Sequence, residues 1–281
     1  MNWIAEHKLQ IGRSVEWLVD WLTDNAAGVF DSIAWFLSQL IDGLLWVLLT
    51  PPPLVVVLCA VALAWVVRRN WSFPLFVAIA LLFVINQSYW TETMETLSLV
   101  ISASVLCMVV GVPIGILAAR KATFYTVLRP ILDLMQTIPT FVYLIPALIL
   151  FGLGMVPGLI ATMIFAIPAP IRLTRLGIAS TPKPLIEAGQ AFGATPWQLL
   201  WKIEMPYAMP SIMAGLTQTI MLSLSMVVIA ALVGADGLGV PTLRALNQAN
   251  IAKGFEVGLA IVMIAVMLDR FLKMDDRKAG R

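Results

Sequence analysis

Long apolar runs separated by short polar gaps dominate this chain: Leu54–Val67, Pro74–Gln87, Leu97–Ala119, Ile131–Leu153, Leu159–Ile171, Ala208–Val233 and Phe255–Leu272. A helix needs about 20 such residues to cross ~30 Å of hydrocarbon, so the shorter runs must borrow from their flanks. Of 281 residues, 60% are hydrophobic and only 12% are charged. A soluble domain carries roughly 25% charged residues, so the bilayer is the expected solvent and the expected fold is an all-α, polytopic membrane protein.

The positive charges fall in alternate gaps: Arg68 and Arg69, Arg120 and Lys121, Arg172 with Arg175 and Lys183, and Lys273 with Arg277 and Lys278. Those gaps are expected in the cytoplasm. The gap around "NQSYWTETMET" carries Glu92 and Glu95 without Lys or Arg, and "FGLGMVPG" is uncharged, so both read as external. Parity places Gly234–Gly254 outside as well, although Arg244 and Lys253 fit that side less cleanly.

The N-terminus mixes acidic and basic residues before any long apolar run, unlike a cleaved signal peptide. Its Ile4, Ile11, Val15, Leu18 and Leu22 recur at helical spacing, which suits a helix on the membrane surface. Ile33–Thr50 is open between an interfacial helix and a span packed on the bundle, because Asp31, Ser38 and Asp42 share one stripe. Together these divide the chain into interfacial helices over 1–50, additional transmembrane helices over 51–90, and a membrane core over 91–281 with a cytoplasmic loop over 172–207.

Several function classes find little support in the residues. A net charge of +2 gives no reason to expect nucleic acid as a partner. Cys59 and Cys107 sit in apolar runs and read as small hydrophobes, and a lone His7 without clustered ligands predicts no metal site. An intramembrane enzyme would need paired carboxylates or a Ser with Lys or His at membrane depth, and Asp133 is alone, so no catalytic residue is expected. A gradient-driven secondary transporter would show internal repeats and buried charges, and neither is visible.

One polar stretch interrupts the apolar pattern, "PKPLIEAGQAFGATPWQLLWKIEMP" from Pro182 to Pro206. Pro184 suits a first helical turn, with Glu187 near the positive end of the helix dipole. Gly193 stands where a left-handed cap would end that helix. Thr195, Pro196 and Gln198 then form the start signature of a second helix, a capping box with proline inside it. Small and apolar residues around Ala188 and Gly189 suit either docking of a cytoplasmic partner or folding back on the chain's own membrane core.

The run "EAGQAFGATPWQLLWKIEMP" resembles the EAA signature of ATP-binding-cassette (ABC) importer permeases. Glu187, Ala188, Gly193, Ile203 and Pro206 match that signature in order, Gly189 replaces its second alanine and Met205 its leucine. The flanking runs, from "MQTIPTFVYLIP" to "SIMAGLTQTIMLSLSMVVIAALVGADGLG", resemble the glycine betaine, proline betaine and choline permeases, over roughly Thr91 to Leu272. That resemblance implies a type I ABC importer permease fold, with a five-helix core plus extra N-terminal helices, in a bacterial cytoplasmic membrane. It implies osmoprotectant import; the alternatives are a permease for another small polar solute and, with less support, an ion-gradient-driven secondary transporter.

The resemblance also implies the partners: a second permease copy, an extracytoplasmic substrate-binding protein, and a cytoplasmic ATPase that holds ATP and Mg. This chain has no Gly-x-x-x-x-Gly-Lys-Ser/Thr loop, so no cofactor is expected on it. Glu187, Ala188, Gly189, Gly193, Ile203 and Pro206 are the implied coupling residues. For the substrate path the candidates are Gln136, Thr137, Thr140, Phe141, Tyr143, Gln218, Thr219 and Ser223, polar or aromatic residues in or beside apolar spans. Such hydroxyls and amides equally glue helices together.

Overall fold

A computed structural model describes residues 11–272. The expectations resting on Ile4, His7, Lys273, Arg277 and Lys278 lie outside them. No strand occurs among the described residues. A long first helical segment, α1 (Ile11–Leu49), kinked at Ala26 (φ −125°, ψ 16°), is followed by two shorter apolar helices, α2 (Pro53–Arg68) and α3 (Ser72–Asn86), and by α4 (Trp90–Arg120). Next come α5 (Ala122–Thr137), α6 (Thr140–Phe151), α7 (Met155–Ala166), α8 (Pro168–Ala179), α9 (Lys183–Ala191) and α10 (Pro196–Leu199). The chain ends with α11 (Met205–Ala230), α12 (Gly239–Asn247) and α13 (Ile251–Leu272).

Residues expected on the same side of the membrane meet in space. At the end expected in the cytoplasm the Arg68 guanidinium donates to the Arg270 carbonyl at 2.8 Å, and Arg120 reaches Glu204. At the end expected outside, the Gly154 N–H donates to the Val233 carbonyl at 3.0 Å, and the Leu238 N–H to the Thr96 hydroxyl at 2.9 Å. Hydropathy and charge placement thus agree with tertiary structure on which ends lie together.

Small residues let the core helices approach closely. A Cβ on Gly115 would lie 2.7 Å from the Thr174 Cβ and 2.8 Å from the Ile171 carbonyl, so α4 and α8 touch backbone to side chain there. Gly177 places α8 equally close to Ser211 and Ala208 of the α10–α11 rod. This is the packing expected where lipid removes the hydrophobic drive between helices and van der Waals fit must replace it. A second apolar cluster, including Phe73, Val77, Val100, Leu224 and Ile264, ties α3 and α13 to α4 and α11.

One expectation about spans changes, and one left open is narrowed. Ile131–Leu153 is not one straight span but two helices, α5 and α6, bent by 95°. Ile138 is extended (φ −65°, ψ 133°) ahead of Pro139, as a residue before proline prefers, so the helix ends there, whereas Pro146 lies within α6 without breaking it. Ile33–Thr50 is the outer part of α1, whose segment Val19–Leu49 is long and apolar enough to cross a membrane. Leu37 and Ile41 bury against Ala103 and Leu159, and the Ser98 hydroxyl donates to the Ile41 carbonyl at 2.7 Å.

Candidate functional site

The polar stretch folds into two helical pieces around an elbow. Pro182 and Pro184 start α9, and the chain leaves it through a Schellman turn: the Gly193 N–H donates to the Gln190 carbonyl at 2.8 Å and the Ala194 N–H to the Gly189 carbonyl at 3.0 Å. Gly193 sits at φ +77°, where a side chain is strained even though the space beside it is open. Thr195 then restarts the helix. Its hydroxyl accepts from the Gln198 N–H at 3.3 Å, and the Gln198 side chain accepts from the Thr195 N–H at 2.9 Å.

Beyond α10 the helix widens into a π turn over Leu200–Glu204 and continues into α11 without a break at Pro206. A proline removes an N–H and crowds the carbonyl four residues before it, and the wider turn relieves that crowding. Pro196–Val233 is consequently one helical rod of 38 residues. The loop is therefore mechanically continuous with a membrane-spanning helix.

The other EAA positions have distinct settings. Gly189 is buried against Leu199 and Ile203, so a Cβ there would lie 2.6 Å from the Leu199 Cδ2 and 2.5 Å from the Ile203 Cδ1. Both atoms are free side-chain ends that can rotate aside. Gly189→Ala is therefore expected to change the melting temperature and the yield of folded protein very little, whereas Gly189→Leu should dislodge α9. Glu187 corrects an expectation: no acidic residue lies in the first turn of α9, so Glu187 neither caps the helix nor compensates its dipole. It is exposed and makes no hydrogen bond or ion pair with any described residue.

The sequence reading missed the strongest contact of this region. Arg120, at the C-terminal end of α4, binds Glu204 at 2.7 Å and the Pro196 carbonyl at 3.3 Å. The Glu204 side chain is only 9% exposed, and the Arg120 side chain 35%. A carboxylate set among "LLWKIEMP" was the available signal, because a charge amid large apolar residues needs a partner. The clamp fixes α4 to the base of the rod.

Outside the clamp, the loop presents an apolar surface. Leu185 and Phe192 of the α9 turn are exposed, Phe192 by 92%, and so are Trp197 and Trp201, whose rings meet edge to face at 5.6 Å. Residues 111–280 match the family described as the binding-protein-dependent transport system inner membrane component. The chain belongs to this family of transport permeases.

Named relatives agree. The permease is 42% identical to the glycine betaine/carnitine transport permease protein GbuB of Listeria monocytogenes, over 94% of this chain and 95% of that one. It is 44% identical to the glycine betaine transport system permease protein OpuAB of Bacillus subtilis, over 94% and 93%. Against ProW of Escherichia coli, a glycine betaine/proline betaine transport system permease protein, the identity is 40%, over 93% of this chain and 75% of that one. The permease chain of the MetNI methionine ABC transporter shares the fold at a TM-score of 0.59 and 24% identity, covering 66% of this chain and 94% of that one. The fold is thus that of a type I ABC importer permease, a multi-pass protein of the inner membrane.

The permease separates the residues considered for the substrate path. Gln136, Thr137, Thr140, Phe141 and Tyr143 gather at the α5–α6 bend. There the Tyr143 hydroxyl donates to the Met135 carbonyl at 2.8 Å and to the Leu134 carbonyl at 3.1 Å, stapling the two arms. Asp133 and Tyr125 hold α5 onto α8, through an Arg172 ion pair at 2.6 Å and an Arg175 guanidinium 3.6 Å from the ring centroid. On α11, Gln218 is exposed, with Ala214 and Ser225 on the same stripe. Thr219 and Ser223 face the protein interior, where the Thr219 hydroxyl donates to the Gly215 carbonyl at 2.8 Å.

Proposed function

We propose that this permease forms the membrane path of an ATP-driven importer for quaternary ammonium osmoprotectants, glycine betaine foremost. The names of its 40–44% identical relatives support the substrate class. The observation that carries the mechanism is an exposed apolar patch, Leu185, Phe192, Trp197 and Trp201, on a loop continuous with α11.

In this reading a partner ATPase, which holds ATP and Mg, receives α9 in a groove, with the unpaired Glu187 offered to it as well. ATP-driven closure of two such ATPases tilts the rods and turns the path from inward-facing to outward-facing. Two copies of the permease face each other across the exposed stripe of α11 and the outward faces of α5 and α6, where Phe141, Val142 and Ile145 are uncovered. Gln218, Thr137 and Phe141 then line a permissive, low-affinity route. A separate binding protein supplies the selectivity.

Gly193→Val serves as a test of the elbow. A β-branched residue at φ +77° costs about 1–2 kcal/mol in backbone strain. The predicted outcome is ATP hydrolysis that continues while uptake falls severalfold. Unchanged uptake per ATP would remove the coupling role. The substrate class is tested by competition in vesicles holding the assembled importer: glycine betaine and proline betaine should displace one another, and methionine should not compete.

A further inference from the structure

On the outer side a cleft of about 500 Å³ opens between α4, α12 and α13, a size typical of small-molecule sites. It is lined by Tyr89, Glu92, Glu95 and Asp236 together with Arg244 and Lys253. Opposite charges in so small a space ordinarily pair. Here Arg244 and Lys253 make no ion pair with any described residue. Glu95 lies close enough to Asp236 and Glu92 for their charges to act on it, yet no group of three or more His, Cys, Asp or Glu among the described residues is placed to hold a metal. Charges of both signs are held apart around an open volume.

The wall is built from rigid parts. Glu92 and Glu95 lie in the first turns of α4, three residues apart and so on one face. The Asp236–Gly237 turn is pinned beside them, because the Leu238 N–H donates to Thr96 Oγ1 and that hydroxyl donates to the Glu92 carbonyl at 2.8 Å. Gly237, at φ +120°, must be glycine: a Cβ would lie 2.7 Å from Thr96 Oγ1. Tyr89 lines the cleft, and burial, then the charges of Glu256 and Glu92, push its phenol above its ordinary value, so an aromatic side chain sits there in a negative field. That is a setting for an organic cation.

We propose that this cleft is an outer-face subsite for a small zwitterion, with the ammonium group between the carboxylates and Tyr89, and the carboxylate on Arg244 and Lys253. The proposal rests on the osmoprotectant reading above, and it adds a place on the permease itself where substrate dwells before entering the path. It also accounts for Arg244 and Lys253 lying on the side where positive charge is unexpected: they serve a ligand, not the topology.

The test uses the full chain in lipid nanodiscs, without ATPase or binding protein, and measures direct binding of three probes. These are glycine betaine, choline as a cation without a carboxylate, and 3,3-dimethylbutanoate as the uncharged-headed isostere. The expected result is saturable binding of glycine betaine, about tenfold tighter than either analogue, one charge-assisted contact being worth roughly that factor. Arg244→Gln should weaken glycine betaine about tenfold and leave choline unchanged, a split that a folding defect cannot produce. Glu92→Gln combined with Asp236→Asn should weaken both.

Absent saturable binding, or equal losses for both probes in Arg244→Gln, overturns the subsite. So does an Arg244→Gln chain that binds glycine betaine normally but is no longer stimulated by the binding protein, because the cleft is then a protein docking point. Glycine betaine uptake by the assembled importer separates this failure from failure of the transport reading. Normal uptake with an empty cleft sinks the subsite alone.

Discussion

Arg120→Ala is expected to be among the most damaging single substitutions in this permease. It removes the partner of Glu204, whose side chain is 9% exposed, and takes from the Pro196 carbonyl a second donor beside the Leu200 N–H. Leaving one member of a buried pair uncompensated costs about 3 kcal/mol or more, a large share of a membrane domain's margin. Thermal unfolding of the purified chain should show a clear fall in stability, and uptake should fall with it. An apolar double replacement, Arg120→Met with Glu204→Leu, removes the charge penalty and should recover most of the stability. If transport also depends on the clamp joining α4 to the rod, the double variant will fold well and still import poorly. Full recovery of both would make the clamp a stability device only.

The second large effect concerns the apolar patch. Phe192 and Leu185 are exposed by 92% and 46% in the single chain, so replacing both with Asp should leave the fold intact. In the assembled importer the same change removes two apolar anchors worth about 1.5–3 kcal/mol each and sets carboxylates in an apolar groove. Affinity for the ATPase should drop by on the order of a thousandfold, enough to lose it on purification. A double variant that retains its ATPase would place the docking surface elsewhere.

Local chemistry was legible in the sequence, and long-range placement was not. Thr195, Gln198 and Gly193 announce their roles through neighbours within a few residues, and the capping box and left-handed elbow formed where that spacing put them. Pro139 was a signal for a kink between α5 and α6, but hydropathy counts apolar residues and is blind to direction, so the 95° of the bend was not legible. The extended Ile138 leaves the run as greasy as before. Arg120 and Glu204 are 84 residues apart, and nothing local links them. On α11, Gln218 and Thr219 are adjacent polar residues, yet one is exposed and the other buried; only the packing of α8 against that rod decides which. Glu187 was misread for a related reason: it is the fifth residue of a helix that starts at Lys183, just past the first turn in which a dipole role operates.

The central claim is that ATP closure by a partner, acting on the α9 loop, drives import through this chain. Its most direct test is glycine betaine uptake into sealed vesicles containing the permease, its ATPase and its binding protein, with ATP or an ion gradient as the sole energy source. Uptake with ATP alone, abolished when Leu185 and Phe192 are both Asp, is the predicted result. Uptake by the permease without the ATPase, driven by the gradient, would contradict it.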